Sequence, residues 1–381
     1  MYSLPPLITT LNDIRGKRVL LRLDLNVPLL NGEVRDTYRI DQSLPMIEYL
    51  RAEGARVVII AHIGKGKPSD TLAPVADYLN TKFPVAFLDS LMSPENERVT
   101  KSMNEGDVVL LENLRHNDGE ESNDPEFARY LATLGDIYVN DAFSVSHRAH
   151  ASVVGITEYL PHYAGMLIAL EIKHLSVAFT PEHPFLFILG GAKISTKMPL
   201  LKKFLDIADN VFVGGAIANN FLKAAGREIG RSVYDATELD GLEESMKHKC
   251  LVIPSDVVVQ NASGSETRKV SDVTTTDMIV DIGGDTIKHL EGVIGAARLI
   301  VWNGPLGYYE NGFTDGTREL LGLIAGSNAV SIIGGGDTVA LIDEMGAHDQ
   351  FTFVSTGGGA MLDFLANETL PGITALQSST H

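Results

Sequence analysis

The chain has 381 residues, 44% of them hydrophobic and 21% charged, with 31 Lys and Arg against 49 Asp and Glu. At roughly 100–200 residues per domain this makes two or three domains, and the apolar share excludes a predominantly disordered chain. The net charge of −18 argues against a general nucleic-acid binder, which carries a basic stripe, and against electrostatic attachment to an anionic membrane.

Strands are predicted in the first part of the chain at 18–23, 56–61, 107–111 and 136–139. In the second part they are predicted at 185–189, 210–213, 250–253, 299–302, 329–333 and 351–354. These runs are β-branched and almost continuous, as parallel strands buried on both faces should be. Helices are predicted between them at 37–53, 72–80, 124–134, 197–209, 218–225, 315–325 and 358–367. Pro45 lies in the first, so that helix is expected to kink or start late. Alternating strands and helices predict an α/β doubly wound fold.

Composition changes near residue 163. Residues 1–163 carry 11 Arg and 9 Gly, and residues 164–381 carry 5 Arg and 27 Gly. Arginine grips carboxylate or phosphate with two bonds, whereas glycine lets backbone approach a phosphate closely. Two lobes reading different anions would give this asymmetry, and so would simple drift between domains.

Polar and glycine residues cluster just past the predicted strand ends, where open parallel sheets bind ligands. In the first part these are Asp24 and Asn26, then His62, Gly64 and Lys65, then Glu112, Asn113 and Arg115, then Asn140 and Asp141. In the second part they are Gly190–Lys193, Gly214-Gly215, Asp256, Asn303-Gly304, Gly334–Asp337 and Thr356–Gly359. One such loop would be an ordinary turn; nine or ten in register point to a ligand edge.

The segments GGAKISTK (190–197), GGGDTVA (334–340) and GGGAML (357–362) each lead into a helix-like segment. Helix N-termini bind phosphate through unpaired N–H groups, and helix capping would use the same residues. Asp337 stands where a carboxylate could meet a phosphate-bound Mg²⁺. There is no GxxxxGK[ST], no complete dinucleotide fingerprint and no His-Arg-Asp triplet, so the common nucleotide families are excluded. Lys193 and Lys197 would share a helix face at this spacing and bracket an anion; two solvated lysines are the plain alternative. Arg22, Arg39, Arg115 and Arg148, with His62 and Lys65, would bind a compact polyanion, although each arginine alone could serve a surface ion pair. His147 and His150 lack the further ligands of a metal centre.

Cys250 is the only cysteine, which excludes an internal disulfide and fits a reducing compartment; it is expected to be an inert core residue. Met1–Pro6 lacks the pattern of a secretory signal, and no apolar run approaches the ~20 residues of a membrane span. A soluble, cytoplasmic protein is expected.

The segments RVLLRLDLNVP (18–28), LLENLRHNDGEE (110–121), YVNDAFSVSHRAHAS (138–152), ILGGAKISTKMPLL (188–201), VWNGPLGYYENG (301–312), IIGGGDT (332–338) and VSTGGGAMLDFL (354–365) together resemble the phosphoglycerate kinase family. The likeness runs in order along nearly the whole chain. It implies two Rossmann-like domains joined by a hinge in a monomer. One would be a triose-phosphate domain of residues 1–163 plus a returning tail at about 367–381, the other a nucleotide domain of residues 164–366. It implies phosphoryl transfer between 1,3-bisphosphoglycerate and ADP, giving 3-phosphoglycerate and ATP, with Mg²⁺. Carried over by motif, the triose site would comprise Asp24, Leu25, Asn26, Arg39, His62, Ile63, Gly64, Lys65, Arg115 and Arg148. The nucleotide site would comprise Gly191, Lys197, Gly214, Gly215, Asn303, Glu310, Gly335, Gly336, Asp337, Thr338, Gly357, Gly358 and Gly359. Glu310 would hold the ribose and Asp337 the metal. Arg39 and Lys193 would neutralise the transferring phosphoryl group.

Four positions depart from the family pattern: Lys65 for Arg, Thr196 for Asp, Gly284 for Pro and Asp363 for Glu. Another two-domain kinase of small carboxylates and a non-enzymatic hinged ligand-binding protein remain alternatives.

Overall fold

The apolar run Arg18–Arg22 (β1) is the centre from which the first sheet grows. The computed structural model describes residues 4–236 and 242–378. The N-terminal Met1–Ser3 and the last three residues of the expected tail lie outside them. A short hairpin, β2 (Leu29–Leu30) and β3 (Glu33–Val34), follows β1 and leads to α1 (Tyr38–Ala52). Then come β4 (Arg56–Ile60), α2 (Ala73–Asn80), β5 (Ala86–Leu88), α3 (Pro94–Ser102), β6 (Val108–Leu111), α4 (Pro125–Thr133), β7 (Ile137–Asn140) and β8 (His162–Ala164). The strands form a six-stranded sheet in the order β5-β6-β4-β1-β7-β8, parallel throughout. Val19, Leu20 and Leu21 are fully buried, because helices cover both faces of such a sheet. Strand order reverses beside β1, and the loops after β1, β4 and β7 meet at that switch point.

Helix α5 (Met166–Leu175) follows, and the division between two compact units falls inside it, at Lys173 and His174. The second unit begins with β9 (Phe185–Leu189), α6 (Met198–Ile207), β10 (Asn210–Val213), α7 (Gly215–Ala224), α8 (Leu242–Ser245) and β11 (Leu251–Val252). An insert of β12 (Asp256–Asn261), β13 (Gly264–Lys269) and β14 (Met278–Ile282) precedes α9 (Gly284–Ala296), β15 (Leu299–Asn303), α10 (Asp315–Ala325), β16 (Val330–Gly334), α11 (Gly336–Met345), β17 (Phe353–Val354) and α12 (Gly359–Asn367). Its main sheet, ordered β11-β10-β9-β15-β16-β17, is also parallel throughout. The switch point lies beside β9. The fold is therefore α/β, with two doubly wound parallel sheets. From Thr369 the chain belongs to the first unit again. There α13 (Pro371–Gln377) is tied by Gly372 N–H to Ser146 O at 2.8 Å.

Several expectations are corrected. Helix α1 does not start late: it opens at Tyr38 with Pro45 inside it. Lys193 and Lys197 share no helix face, because α6 opens at Met198 with Lys197 as its cap. Cys250 is not in the core. It is half-buried in the turn before β11, and its thiol donates to Leu205 O at 3.2 Å. Asp256 does not follow a strand at the ligand edge. It opens β12, and its carboxylate accepts the N–H groups of Asp285 (3.0 Å) and Thr286 (2.8 Å), so it caps the start of α9. The antiparallel sheet β13-β12-β14, the short strands β2, β3, β5 and β8, and helices α3, α5, α8, α9, α11 and α13 are additional to the predicted set.

Candidate active site

In the first unit, Asp24 follows β1 and is 5% exposed. Its Oδ2 accepts Arg39 Nη1 at 2.9 Å and the Ser144 hydroxyl, and its Oδ1 accepts Asn26 N–H at 3.1 Å. Burial opposes its charge, but Arg39, His62 and these hydrogen bonds outweigh burial and hold the carboxyl below its usual range. Arg39, on the first turn of α1, also donates to Asn26 O at 3.2 Å. Asn26 Oδ1 accepts Gly64 N–H at 2.9 Å, which joins the loop after β1 to the loop after β4. Leu25 and Ile63 are buried beneath these loops, and Ile63 is held through backbone N–H and C=O by Asn113.

His62 is buried, and its Nδ1 faces Arg22 Nη2 at 3.2 Å. Burial and then Arg22 push its pKa well below the usual value, with Arg115 and Arg148 adding to this against Asp24. The imidazole is therefore neutral at neutral pH. Arg115 donates to Gly64 O and pairs with Glu121 at 3.0 Å. Its pKa is lowered by burial, and Arg148 and Arg22 contribute. His150 is pushed down to about 4 by burial and then by Arg148. Arg22, Arg115 and Arg148 thus form one cationic cluster, and burial together with their field keeps the neighbouring His62 and His150 imidazoles neutral. Arg22 is directed inward, bonded to Ser152 Oγ at 2.9 Å and to Leu23 O, so it charges the site from within. Lys65 is exposed. Its backbone N–H is fixed on Asp70 at 2.8 Å.

In the second unit, three helices open on glycine at the carboxyl edge of the sheet. Gly215 (φ 60°) begins α7, Gly335 (φ 101°) caps α11, and Gly358 (φ 48°) caps α12. Those φ values are costly for other residues. The loops also pass very close to one another. A Cβ on Gly215 would sit 3.0 Å from Gly191 backbone, and one on Gly335 would sit 2.9 Å from Gly304 N. Gly191 N–H is held by Pro305 O at 2.9 Å, and Gly214 N–H by Leu189 O at 3.0 Å. Gly336 and Gly359 are the first helical residues of α11 and α12. Gly357 N–H bonds Ser355 Oγ at 3.0 Å.

Lys197 Nζ donates to Gly190 O at 2.6 Å. Burial lowers its pKa to about 8, with Asp337 pulling the other way. Asp337 itself is raised by burial and by Glu310, and Lys197 opposes this. Asp337 therefore feels both Glu310 and Lys197. Lys193 is exposed on the glycine loop. Asn303 is buried at the end of β15, its Nδ2 on Met361 Sδ at 3.6 Å. Thr338 is fully buried, and its hydroxyl has no hydrogen-bond partner among the described residues.

A cavity of about 270 Å³ lies in this unit. Gly191, Gly215, Glu310 and Asp337 line one part, and Val257, Met278, Ile279, Val280 and Leu306 line an apolar part. Sequence reasoning missed that apolar wall, which comes from the antiparallel insert. The available signal was the strand-like pair DVVVQN and MIVDI around a polar segment. Among the described residues no three His, Cys, Asp or Glu side chains are grouped to hold a metal, and no helix is long and apolar enough to cross a membrane.

The phosphoglycerate kinase family model matches residues 8–368. The chain belongs to the phosphoglycerate kinase family. It is 44% identical to the phosphoglycerate kinase of Dictyoglomus turgidum over 96% of both chains. It is 42% identical to that of Moorella thermoacetica over 96% of this chain and 97% of the other. Among solved structures, phosphoglycerate kinase from Coxiella burnetii superposes with a TM-score of 0.85 at 38% identity, covering 98% of each chain. The phosphoglycerate kinase of Pyrococcus horikoshii gives 0.86 at 32% identity with the same coverage. Both alternatives left open by the sequence, another small-carboxylate kinase and a hinged binding protein, are disfavoured by these matches.

Proposed function

We propose that this kinase transfers a phosphoryl group reversibly between 1,3-bisphosphoglycerate and ADP, giving 3-phosphoglycerate and ATP. The observation that carries this reading is the second unit's sheet edge, where three helices open on glycine and two of them, α7 and α11, line a cavity of about 270 Å³. The first unit supplies the complement, three neighbouring arginines, Arg22, Arg115 and Arg148, suited to a small anion.

The first unit is assigned the triose phosphate. Asp24 and Asn26 would meet its hydroxyl and carboxylate region, and His62, Lys65, Arg115 and Arg148 its phosphate. The second unit is assigned the nucleotide. Gly191, Gly214, Gly215 and Glu310 would hold the nucleoside, and Lys197, Asn303, Gly335–Thr338 and Gly357–Gly359 the phosphates. Mg²⁺ fits Asp337, a hard oxygen donor at the rim, because Mg²⁺ is usually held by one or two carboxylates plus phosphate oxygens. When bound, the ion would neutralise phosphate charge.

In the direction that makes the acyl phosphate, the attacking group is a carboxylate with a pKa near ~4. It is already ionised, so no base is required, and the neutral, buried His62 is not asked to act as one. What remains is positioning and charge neutralisation. Arg39 and Lys193 are assigned to the migrating group. Closure about a hinge would exclude water, which is a competing acceptor. The reading includes a cytoplasmic monomer with no nucleic-acid or membrane partner.

The test is ATP-dependent phosphorylation of 3-phosphoglycerate, run beside acetate and hexoses. Turnover confined to 3-phosphoglycerate supports the reading. Turnover on another acceptor in its place refutes it.

A further inference from the structure

Asp281, near the end of β14, is 4% exposed and lines the cavity of the second unit. No cation pairs with it among the described residues. Its Oδ2 accepts Gly316 N–H from the first turn of α10 at 2.9 Å, and its Oδ1 accepts the next residue's N–H, Ile282, at 2.9 Å. Two glycines make room for it. A Cβ on Gly307 would fall 2.7 Å from its Cγ, and one on Gly316 would fall 2.6 Å from its Oδ1. Gly307 belongs to the loop that runs from Asn303 to Glu310. The same loop is fixed on either side of Gly307: Leu306 N–H donates to Thr317 Oγ1 at 3.0 Å, and Tyr308 N–H donates to Val280 O at 2.8 Å. The carboxylate therefore sits between the loop and the start of α10, wedged where both approach the cavity.

We infer that Asp281 is a positioning residue for the nucleotide site, holding the 304–310 loop and the start of α10 in register so that Glu310 and the Leu306 wall face the cavity. This rests on reading that cavity as the nucleotide site. The residue does not touch the reacting atoms; it acts through the loop. Burial, with Asp315 adding to it, pushes the Asp281 carboxyl up to about 6. The two backbone N–H groups and the start of α10 oppose that rise without overcoming it.

The test is steady-state kinetics of the full chain carrying Asp281→Asn, with MgATP and 3-phosphoglycerate each varied. An amide can accept at one oxygen only, and its NH2 would oppose Ile282 N–H or Gly316 N–H. The expected result is a KM for ATP raised about tenfold, as a loss of site positioning worth one decade would give, with the KM for 3-phosphoglycerate unchanged. Thr317→Val loosens the same loop from its other anchor and should move the same constant; it decides the matter if Asp281→Asn does not fold. Thr317→Ser, which keeps the hydroxyl, should restore the wild-type value. A folded variant whose melting temperature falls while both KM values stay put would overturn the inference, as would an equal rise in both. A wild-type enzyme that does not use ATP at all would overturn the nucleotide reading itself.

Discussion

Arg39 Nη1 donates to Asp24 Oδ2 across 2.9 Å. The Asp24 side chain is 6% exposed and that of Arg39 34%. The buried carboxylate thus anchors an arginine whose guanidinium still reaches solvent. Asp24 is held from two further directions, by the Ser144 hydroxyl and Asn26 N–H. That network presents Arg39 in one orientation before any substrate arrives, which is what electrostatic catalysis requires.

Arg39→Ala should therefore act on turnover. Under the proposed assignment of Arg39 to the migrating group, loss of this preorganised cation is worth ~3–5 kcal/mol of barrier, or about two to four decades in kcat. The KM for 3-phosphoglycerate should change far less. Steady-state kinetics checks this, and near-wild-type kcat would remove Arg39 from the proposed role.

Lys65 is a single exposed point charge at a position where the family resemblance leads to an expectation of arginine. Its backbone is already fixed by Asp70, so the loop does not need rebuilding to accept a longer side chain. Lys65→Arg should tighten 3-phosphoglycerate binding several-fold by adding a second hydrogen bond. Titration calorimetry with 3-phosphoglycerate measures it; an unchanged Kd counts against a phosphate contact at this position.

Gly284 is the first residue of α9, and a Cβ there would meet nothing within 4 Å. Gly283 before it has φ −92° and ψ 169°, the extended backbone that a residue preceding proline adopts. Proline is favoured at this helix position. Gly284→Pro should therefore stabilise the folded chain by about 0.4–1 kcal/mol through the unfolded state. Urea unfolding would show a higher midpoint; a lower one would mean the backbone cannot take the ring.

Lys197 is held charged at neutral pH, with a pKa brought down to about 8 chiefly by burial. Above pH 8 the free enzyme loses this cation. The KM for ATP should rise with pH between about 8 and 9.5, by up to tenfold per pH unit. In Lys197→Arg that rise should vanish, because a guanidinium stays charged. A flat wild-type profile would separate Lys197 from phosphate binding.

Asp141 gives a stability signature from the same cause, burial, acting on a carboxyl. Its Oδ1 accepts Leu167 N–H at 2.7 Å and Ile168 N–H at 3.2 Å at the start of α5. Burial nevertheless raises its pKa to about 8. A carboxyl whose folded pKa exceeds its unfolded value binds more protons when folded, so stability should fall as pH rises from about 4 to 8. Asp141→Asn keeps the accepting oxygen and removes the ionisation, so it should flatten that slope. Urea midpoints at pH 5 and pH 8 for both proteins measure the difference.

Much of this was legible in the sequence for a definite reason. Strands such as Phe185–Leu189 are buried at every position, so they read as unbroken apolar runs. The glycines at 215, 335 and 358 were legible because steric necessity leaves few substitutes there. Less visible were residues whose meaning depends on remote partners. Asp256 looks like a strand-end ligand in sequence, but 30 residues away Thr286 supplies the N–H that it caps. Lys197 lies four positions from Lys193, yet its ammonium turns back on Gly190 O. The insert β12–β14 alternates polar and apolar in short segments, with β13 almost wholly exposed. Such a strand carries little of the hydrophobic signal that marked the main sheets.

The most direct measurement is the initial rate of ADP formation from ATP with purified enzyme and 3-phosphoglycerate, with and without Mg²⁺. The account predicts rapid ADP formation that requires both 3-phosphoglycerate and Mg²⁺. ADP formation that ignores 3-phosphoglycerate, or none with all components present, would contradict it.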